Sequence, residues 1–280
     1  MEKINVIIND EKYDFDKGLT LFEISEKVYK EDFPALVAFV DNEIFSLDKK
    51  INYDCSVRFV NVLDPTGNRI YTRSLFFVLS YAFKELFGYD YYVKVCHSID
   101  KAIKLRTNLY LNQDRLNKLK DKMTEIIEND MHIEKCLVSR KEARKYFLSV
   151  NDKSKADTFI YNTNHYVTLY KLGDLYDYFF CNMPISTGVF KSFDLYFLDK
   201  GSFILQFPTV GDNGNIPEYV NREKIVKTFD DIYSLSKKLG LFDSSDVNKA
   251  VASGKVSDII KLTETISSNN LLNLAREIYD

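Results

Sequence analysis

Apolar and polar residues alternate along the first part of the chain with the period of short strands. Residues 4–10, of sequence INVIIND, are apolar at alternate positions, and EKYDF follows after a tight turn. Thr20 precedes Glu23 by three residues, which is capping-box spacing, and apolar residues then follow at helical spacing. Further strands are predicted over 36–40 and 56–62. This order of elements predicts a small mixed sheet closed by one helix, a β-grasp arrangement.

Helix and strand patterns alternate through the middle of the chain. The residues at 64–67 (Asp-Pro-Thr-Gly) predict a turn, and the apolar run over 74–87 then predicts a helix that Gly88 ends. Ser139 and Glu142 repeat the capping-box spacing and predict a helix to about residue 148. The other predicted helix lies over 112–128, and the predicted strands are 91–96, 157–162, 166–172, 193–198 and 203–207. This pattern is typical of an α+β layer domain.

Only helical patterns occur after a loop over 211–217 that is rich in turn-forming residues. The predicted tail helices are 221–239, 245–253, 255–266 and 269–279. The fold class is therefore predicted to be α+β. The predicted domains are a β-grasp domain over 1–64, a second α+β domain over 65–210 and a helical tail over 211–280.

Composition excludes several classes of protein. The 280 residues are 45% hydrophobic, with 10 Gly and 5 Pro, which is unlike disordered or collagen-like chains. No apolar run is long enough to span a membrane, and the first residues do not form a signal peptide, so we expect a cytoplasmic protein without a membrane partner. The four cysteines form no CxxC pair, and the three histidines are more than 30 residues apart, so no metal site is predicted.

Two groups of residues in the first domain resemble a known module. The sequence Gly-Leu-Thr-Leu at 18–21 is followed by Ile24, and Ala-Phe-Val-Asp-Asn-Glu occupies 38–43. These residues resemble the TGS domain, the β-grasp module of threonyl-tRNA synthetases and stringent-response synthetases. The resemblance implies a TGS domain over 1–64.

The second domain resembles the editing domain of threonyl- and alanyl-tRNA synthetases. The stretch over 70–87 is similar to that domain's first helix, and Thr187-Gly188 followed by Phe193 is similar to its "TG…F" strand. Together with "LxxKM" at 119–123 and "RKEARKYF" at 140–147, the order resembles the N-terminal half of bacterial nucleoside (uridine) kinases. In that family a TGS domain and an editing-like domain precede an ATP-dependent kinase domain.

The side chains that an editing hydrolase needs are missing at the matching positions. The resemblance implies a His-x-x-x-His pair and a later Cys-x-x-x-His, which supply metal ligands or polar groups around the ester. Arg73 and Phe77 occupy the first pair of positions, and Phe179 and Met183 the second. A two-residue shift would bring in Cys181, but no histidine follows it. We therefore expect no catalytic residue in this chain.

The chain also contains no phosphate-binding loop of the kinase type. Gly254-Lys255 is followed by Val256 and has no glycine five residues earlier, so it does not fit G-x-x-x-x-G-K-[ST]. The kinase resemblance implies that this loop would begin beyond residue 280. ATP and Mg²⁺ would then belong to that kinase domain, and no cofactor is expected in this chain.

Two sets of residues are candidates for ligand binding. The residues predicted to line the former editing cleft are Arg73, Phe77, His97, Met183 and Thr187. The guanidinium of Arg73 is suited to an anion such as a nucleotide phosphate. The second set consists of Arg115, Lys118 and Lys122. These residues form either a phosphate- or RNA-binding face or simply the solvated face of a helix. Residues 94–145 carry 13 basic and 8 acidic residues, whereas the first 70 carry 9 and 14.

These observations leave three hypotheses about function. The first is a non-catalytic regulatory or ligand-binding region of an ATP-dependent uridine kinase, whose partner is the kinase domain of the same chain and whose ligand is a nucleotide or an RNA. The alternative is an aminoacyl-tRNA editing hydrolase or a tRNA-binding module related to threonyl-tRNA synthetase. The third is a structural scaffold whose helical tail forms a homodimer.

Overall fold

The computed structural model describes residues 2–279 and has the predicted α+β class. The chain divides into two compact units. Unit 1 contains Met1–Leu137 and Thr168–Arg222, and unit 2 contains Val138–Val167 and Glu223–Asp280. Within residues 2–279, no helix combines the length and the apolar character that a membrane span requires.

The N-terminal part of unit 1 is a mixed five-stranded sheet with one helix. Its elements are β1 (Lys3–Ile8), β2 (Glu11–Asp16), α1 (Leu21–Val28), β3 (Val37–Val40), β4 (Glu43–Ser46) and β5 (Cys55–Val60). The strand order is β2-β1-β5-β3-β4, in which β1 and β5 are parallel. The capping box at the start of α1 is confirmed: the Thr20 backbone N–H donates to the Glu23 carboxylate at 2.7 Å, and the Glu23 N–H donates to Thr20 Oγ1 at 3.2 Å.

Helix α2 (Pro65–Phe87) begins earlier than the sequence pattern predicts, so the predicted turn over 64–67 is wrong. Asp64 is the N-cap, because its carboxylate accepts the Thr66 N–H at 2.7 Å. Pro65 stands in the first turn, where its missing N–H leaves no hydrogen bond unmade. Gly67 is required by a close approach, since a Cβ there would lie 1.8 Å from the Asn61 carbonyl oxygen.

Two further sheets and one long helix follow α2. Their elements are β6 (Val93–Ile99), β7 (Ala102–Thr107), α3 (Gln113–Glu128), β8 (Glu134–Ser139), β9 (Tyr166–Leu172), β10 (Leu175–Asp177), β11 (Asp194–Asp199) and β12 (Ser202–Gln206). The strand orders are β11-β12-β7-β6 and β10-β9-β8. Helices α2 and α3 pack together, and residues such as Leu79, Met123 and Phe203 belong to one buried apolar core. This core fixes the position of the α2 side chains described below.

Helices make up most of unit 2. They are α4 (Arg140–Ser149), α5 (Lys153–Tyr161), α6 (Glu223–Lys238), α7 (Ser244–Ala252) and α8 (Val256–Tyr279). The predicted strand over 157–162 is wrong: α5 occupies this segment, and its Phe159 ring stacks on Phe147 of α4 with centroids 5.6 Å apart. The two helices predicted over 255–266 and 269–279 are one continuous helix.

Candidate functional site

Helix α2 and the segment after β10 bring together two of the four positions that the editing resemblance singles out. Arg73 and Phe77 are four residues apart, so they lie on one face of α2. The rings of Phe77 and Phe179 meet at an interplanar angle of 60°, with their centroids 5.3 Å apart. The side chains of the two phenylalanines are therefore in contact within unit 1.

These positions hold side chains that cannot activate water. Phe77 and Met183 are 0% and 1% exposed and are part of the apolar core. A phenyl ring has no lone pair for a proton or a metal, a guanidinium has no acceptor, and a thioether is a weak one. Among residues 2–279, no three His, Cys, Asp or Glu side chains lie close enough together to hold a metal ion. The side chains at these four positions thus differ from the imidazole and thiolate groups that the editing resemblance implies.

Arg73 and Cys181 form the polar part of this site. Arg73 is exposed on α2, and its guanidinium donates a hydrogen bond to the half-buried Cys181 sulfur. Burial raises the pKa of the Cys181 thiol, and the hydrogen bond and positive charge of Arg73 oppose that rise only in part. The thiol is therefore protonated at neutral pH, which makes it a poor nucleophile.

Hydrogen bonds to neighbouring elements hold the segment that carries Cys181. The Tyr170 hydroxyl donates to the Cys181 carbonyl at 2.8 Å. The Asn182 amide donates to the Ile44 carbonyl at 2.8 Å and accepts from Lys135 Nζ at 3.1 Å. These contacts fix both the backbone and one side chain of the segment, so the sulfur has a defined position opposite Arg73.

Thr187, predicted to line the cleft, has a hydroxyl that is already engaged. Its Oγ1 accepts the Met131 N–H at 2.8 Å and donates to the Ile126 carbonyl at 2.7 Å, and the residue is fully buried. These bonds link the end of α3 to the short helical turn that begins at Thr187. The geometry gives Thr187 a structural role.

His97 lies on a different element from the Arg73 face. It is half-buried on β6, where it is the register partner of Lys104 on β7. The strand has a bulge between Val95 and His97. The structure therefore places this predicted cleft residue in the four-stranded sheet.

The three cations of α3 that were candidates for a phosphate-binding face have local partners. Lys118 Nζ lies 2.9 Å from the Asp114 carboxylate, and Lys122 Nζ lies 2.8 Å from that of Glu125. The Arg115 guanidinium donates to the Tyr110 carbonyl. The two lysine charges are thus offset on the same helix, which weakens this face as a phosphate site.

A group of basic residues that the sequence reasoning did not assign to a site lies at the start of α4. They line two adjoining hollows in unit 2, together with side chains from the end of α5 and the start of β9. The available signal was the run Arg-Lys-Glu-Ala-Arg-Lys at 140–145, which served above only as a point of resemblance. The residues that complete the hollows are distant in sequence, so the run alone does not reveal them.

Comparison with known proteins gives a partial similarity. No protein-family model matches the chain. It is 28% identical over 200 residues to the threonine--tRNA ligase of Thermotoga petrophila, 29% over 187 residues to that of Halorhodospira halophila and 27% over 173 residues to that of Clostridium kluyveri. These matches cover 69%, 65% and 60% of this chain, but only 30%, 29% and 27% of the respective relatives.

The similarity is to ligases and gives the uridine-kinase prediction no support. The chain spans less than a third of the length of the relatives that it matches. Over about two thirds of its own length, the chain is thus similar to part of the threonine--tRNA ligases.

Proposed function

We propose that this chain is a non-hydrolytic RNA-binding region related to the N-terminal part of threonyl-tRNA synthetases. A TGS-like domain over 1–64 and an editing-like domain over 65–210 would together recognise the acceptor end of a tRNA. The similarity to threonine--tRNA ligases supports the RNA ligand. The contact between Phe77 and Phe179 supports the other half of the proposal, since these rings occupy positions where the editing resemblance implies an imidazole and a thiolate.

The side chains around these rings suit binding better than catalysis. Ester hydrolysis needs an activated water, which a metal ion or a general base supplies. This site offers two rings, a thioether, a protonated thiol and an exposed guanidinium. A guanidinium can hold a phosphate or carboxylate through two parallel hydrogen bonds. Arg73 is therefore the residue on which anion recognition would depend.

The test measures binding and hydrolysis on the same RNA. The purified chain is mixed with threonine-specific tRNA, uncharged or carrying threonine or serine, and bound RNA and remaining ester are followed together. We expect saturable binding with ester loss no faster than in buffer. Arg73→Ala should weaken binding, whereas Arg69→Ala, one helical turn earlier and also exposed, should not. Accelerated deacylation, or no binding, would overturn the proposal.

A second candidate function follows from the same missing side chains. A region that has lost hydrolysis could instead regulate an ATP-dependent uridine kinase domain within the same parent protein. The order of the resembling segments 70–87, 119–123 and 140–147 favours this candidate. The discriminating measurement is uridine phosphorylation by the parent protein with and without residues 1–280. Unchanged kinetics and unchanged nucleotide response would exclude the regulatory role.

A further inference from the structure

The chain enters α4 and returns to β9 at neighbouring points in unit 2. The Arg140 N–H donates to the His165 carbonyl at 3.0 Å, and this bond closes the base of the segment that contains α4 and α5. One hollow there has a volume of about 490 Å³. Its lining residues are Ser139, Arg140, Lys141, His165 and Tyr166.

A second hollow adjoins the first, because the two share Arg140 and Lys141. Its volume is about 370 Å³, and Arg144, Phe159 and Ile160 complete its lining. We call the two together the basic hollow. Each volume lies in the range of about 300–1,000 Å³ that small-molecule sites occupy.

The charge of the basic hollow is positive. Among the described residues that line it, three are Lys or Arg and none is Asp or Glu. Within residues 2–279, neither Lys141 nor Arg144 forms an ion pair with a carboxylate. Arg140 differs, since its guanidinium donates to the Asn162 carbonyl. Two cations thus remain available to an anion from solution.

Two of the three carboxylates over residues 138–167 cap the starts of helices. The Glu142 carboxylate accepts the Ser139 N–H at 2.9 Å and the Ser139 hydroxyl at 2.6 Å, which completes the capping box of α4. Asp152 accepts the Lys155 N–H at 3.1 Å as the N-cap of α5. Residues 138–167 include six Lys or Arg and three Asp or Glu, so the segment has a net positive charge. Because Glu142 covers the start of α4, an anion here would be bound by side chains and not by the helix N-terminus.

An exposed aromatic ring stands beside these cations. Tyr166 is 64% exposed, and Ile160 in the adjoining hollow is 50% exposed. Proteins that bind single-stranded nucleic acid combine cations that follow the phosphates with aromatic rings on which bases stack. A free phosphate would use the cations and leave the ring and the apolar wall without a partner. The combination favours a nucleotide chain.

We propose that the basic hollow binds single-stranded RNA, with one base stacked on Tyr166 and the neighbouring phosphates held by Lys141 and Arg144. The inference rests on the proposed function for the nature of the ligand. It adds a site in unit 2 to the Arg73 site of unit 1. RNA binding is then predicted to have two independent parts, meaning that each site contributes to the affinity without depending on the other.

The test uses fluorescence anisotropy with a labelled single-stranded oligoribonucleotide that ends in CCA. Lys141→Ala combined with Arg144→Ala should weaken binding about tenfold, and Tyr166→Ala should weaken it by a similar factor. The matched control is Lys145→Ala, which removes an exposed cation from the same helix but outside the basic hollow. Losing two phosphate contacts should also make the slope of log K against log salt shallower by about 1.4. Circular dichroism checks that each variant is folded.

The outcomes separate this inference from the proposed function. If the wild-type chain binds RNA but the double variant loses no more affinity than Lys145→Ala, the RNA lies elsewhere and only the inference is overturned. The inference is also overturned if an RNA duplex of the same length, or inorganic phosphate at the same concentration, displaces the labelled oligoribonucleotide as well as unlabelled single-stranded RNA does. If the wild-type chain binds no RNA, both proposals fail. A loss of affinity in the hollow variants beyond that of Lys145→Ala, with the same effect of Arg73→Ala in the presence and absence of the double substitution, supports two independent parts.

Discussion

The ring of Phe77 on α2 meets the ring of Phe179 edge to face, with centroids 5.3 Å apart. This contact lies in the apolar core, because Phe77 has no exposed surface. Phe77→Ala should lower the free energy of unfolding by about 3–5 kcal/mol, since it removes a buried ring and leaves a cavity. Urea denaturation measures the loss. Phe180→Ala is the control, because that ring is 82% exposed and should cost less than about 0.5 kcal/mol.

The hydrogen bond from Arg73 to Cys181 gives a prediction about thiol reactivity. Burial raises the pKa of Cys181, and Arg73 acts in the opposite direction. Arg73→Ala should therefore raise the pKa further, and the pH midpoint of alkylation at this cysteine should move upward. Iodoacetamide labelling with mass spectrometry follows Cys181 apart from the other three cysteines. An unchanged or lower midpoint would contradict the hydrogen bond, and Arg69→Ala provides the matched charge removal.

The close approach of α2 to the end of β5 predicts a large effect of a single methyl group. Gly67→Ala would place its Cβ 1.8 Å from the Asn61 carbonyl oxygen, and backbone must shift to admit it. We expect a loss of several kcal/mol, well above the usual range of about 0.5–3 kcal/mol for point substitutions. Gly211→Ala meets no atom within 4 Å and should have little effect. Thermal and urea unfolding of both variants make the comparison, and equal stability of the two would refute the contact.

Tyr71 predicts a loss of stability at alkaline pH. Its hydroxyl donates to the Ser192 carbonyl at 2.7 Å, and burial raises its pKa from 10.0 to about 12. Since the folded state favours the protonated phenol, this contribution is complete below about pH 10 and is lost as the pH rises towards 12. Two pKa units correspond to about 2.7 kcal/mol.

Tyr71→Phe isolates that contribution. It should lower stability at pH 8 by about 1 kcal/mol or more, because the Ser192 backbone loses a partner. It should also lose less stability than the wild type between pH 10 and 12. The measurement is the free energy of unfolding at several pH values. Tyr279→Phe, at a side chain that is 92% exposed, should follow the wild-type profile; equal alkaline losses in all three proteins would contradict the assignment.

Local sequence signals predicted those parts of the fold that depend on neighbouring residues. The capping boxes at Thr20 and Ser139 both form, since each needs only residues three positions apart. The strand predicted over 157–162 was wrong for a physical reason. Thr158, Phe159 and Ile160 favour strands, but the packing of Phe159 on Phe147 outweighs that preference. The turn prediction over 64–67 was wrong because an Asp-Pro pair can begin either a turn or a helix.

The candidate site was predictable only where positions could be aligned with a known family. Phe77 and Phe179 were identified in this way, and the structure brings their rings together. The hydrogen bond between Arg73 and Cys181 depends on how α2 packs against the segment after β10, which no local pattern encodes. The basic hollow depends likewise on Lys141 and Tyr166 coming together through paired strands.

The bond between the Arg140 N–H and the His165 carbonyl makes the intervening chain a closed loop with its own anchor. Loop-closure entropy grows only logarithmically, by about 0.6 kcal/mol for each doubling of length. Insertions or deletions between α4 and α5 would therefore leave the pairing of β8 with β9 nearly undisturbed. The length of this helical segment can therefore vary without rebuilding the β8–β9 pairing at its base.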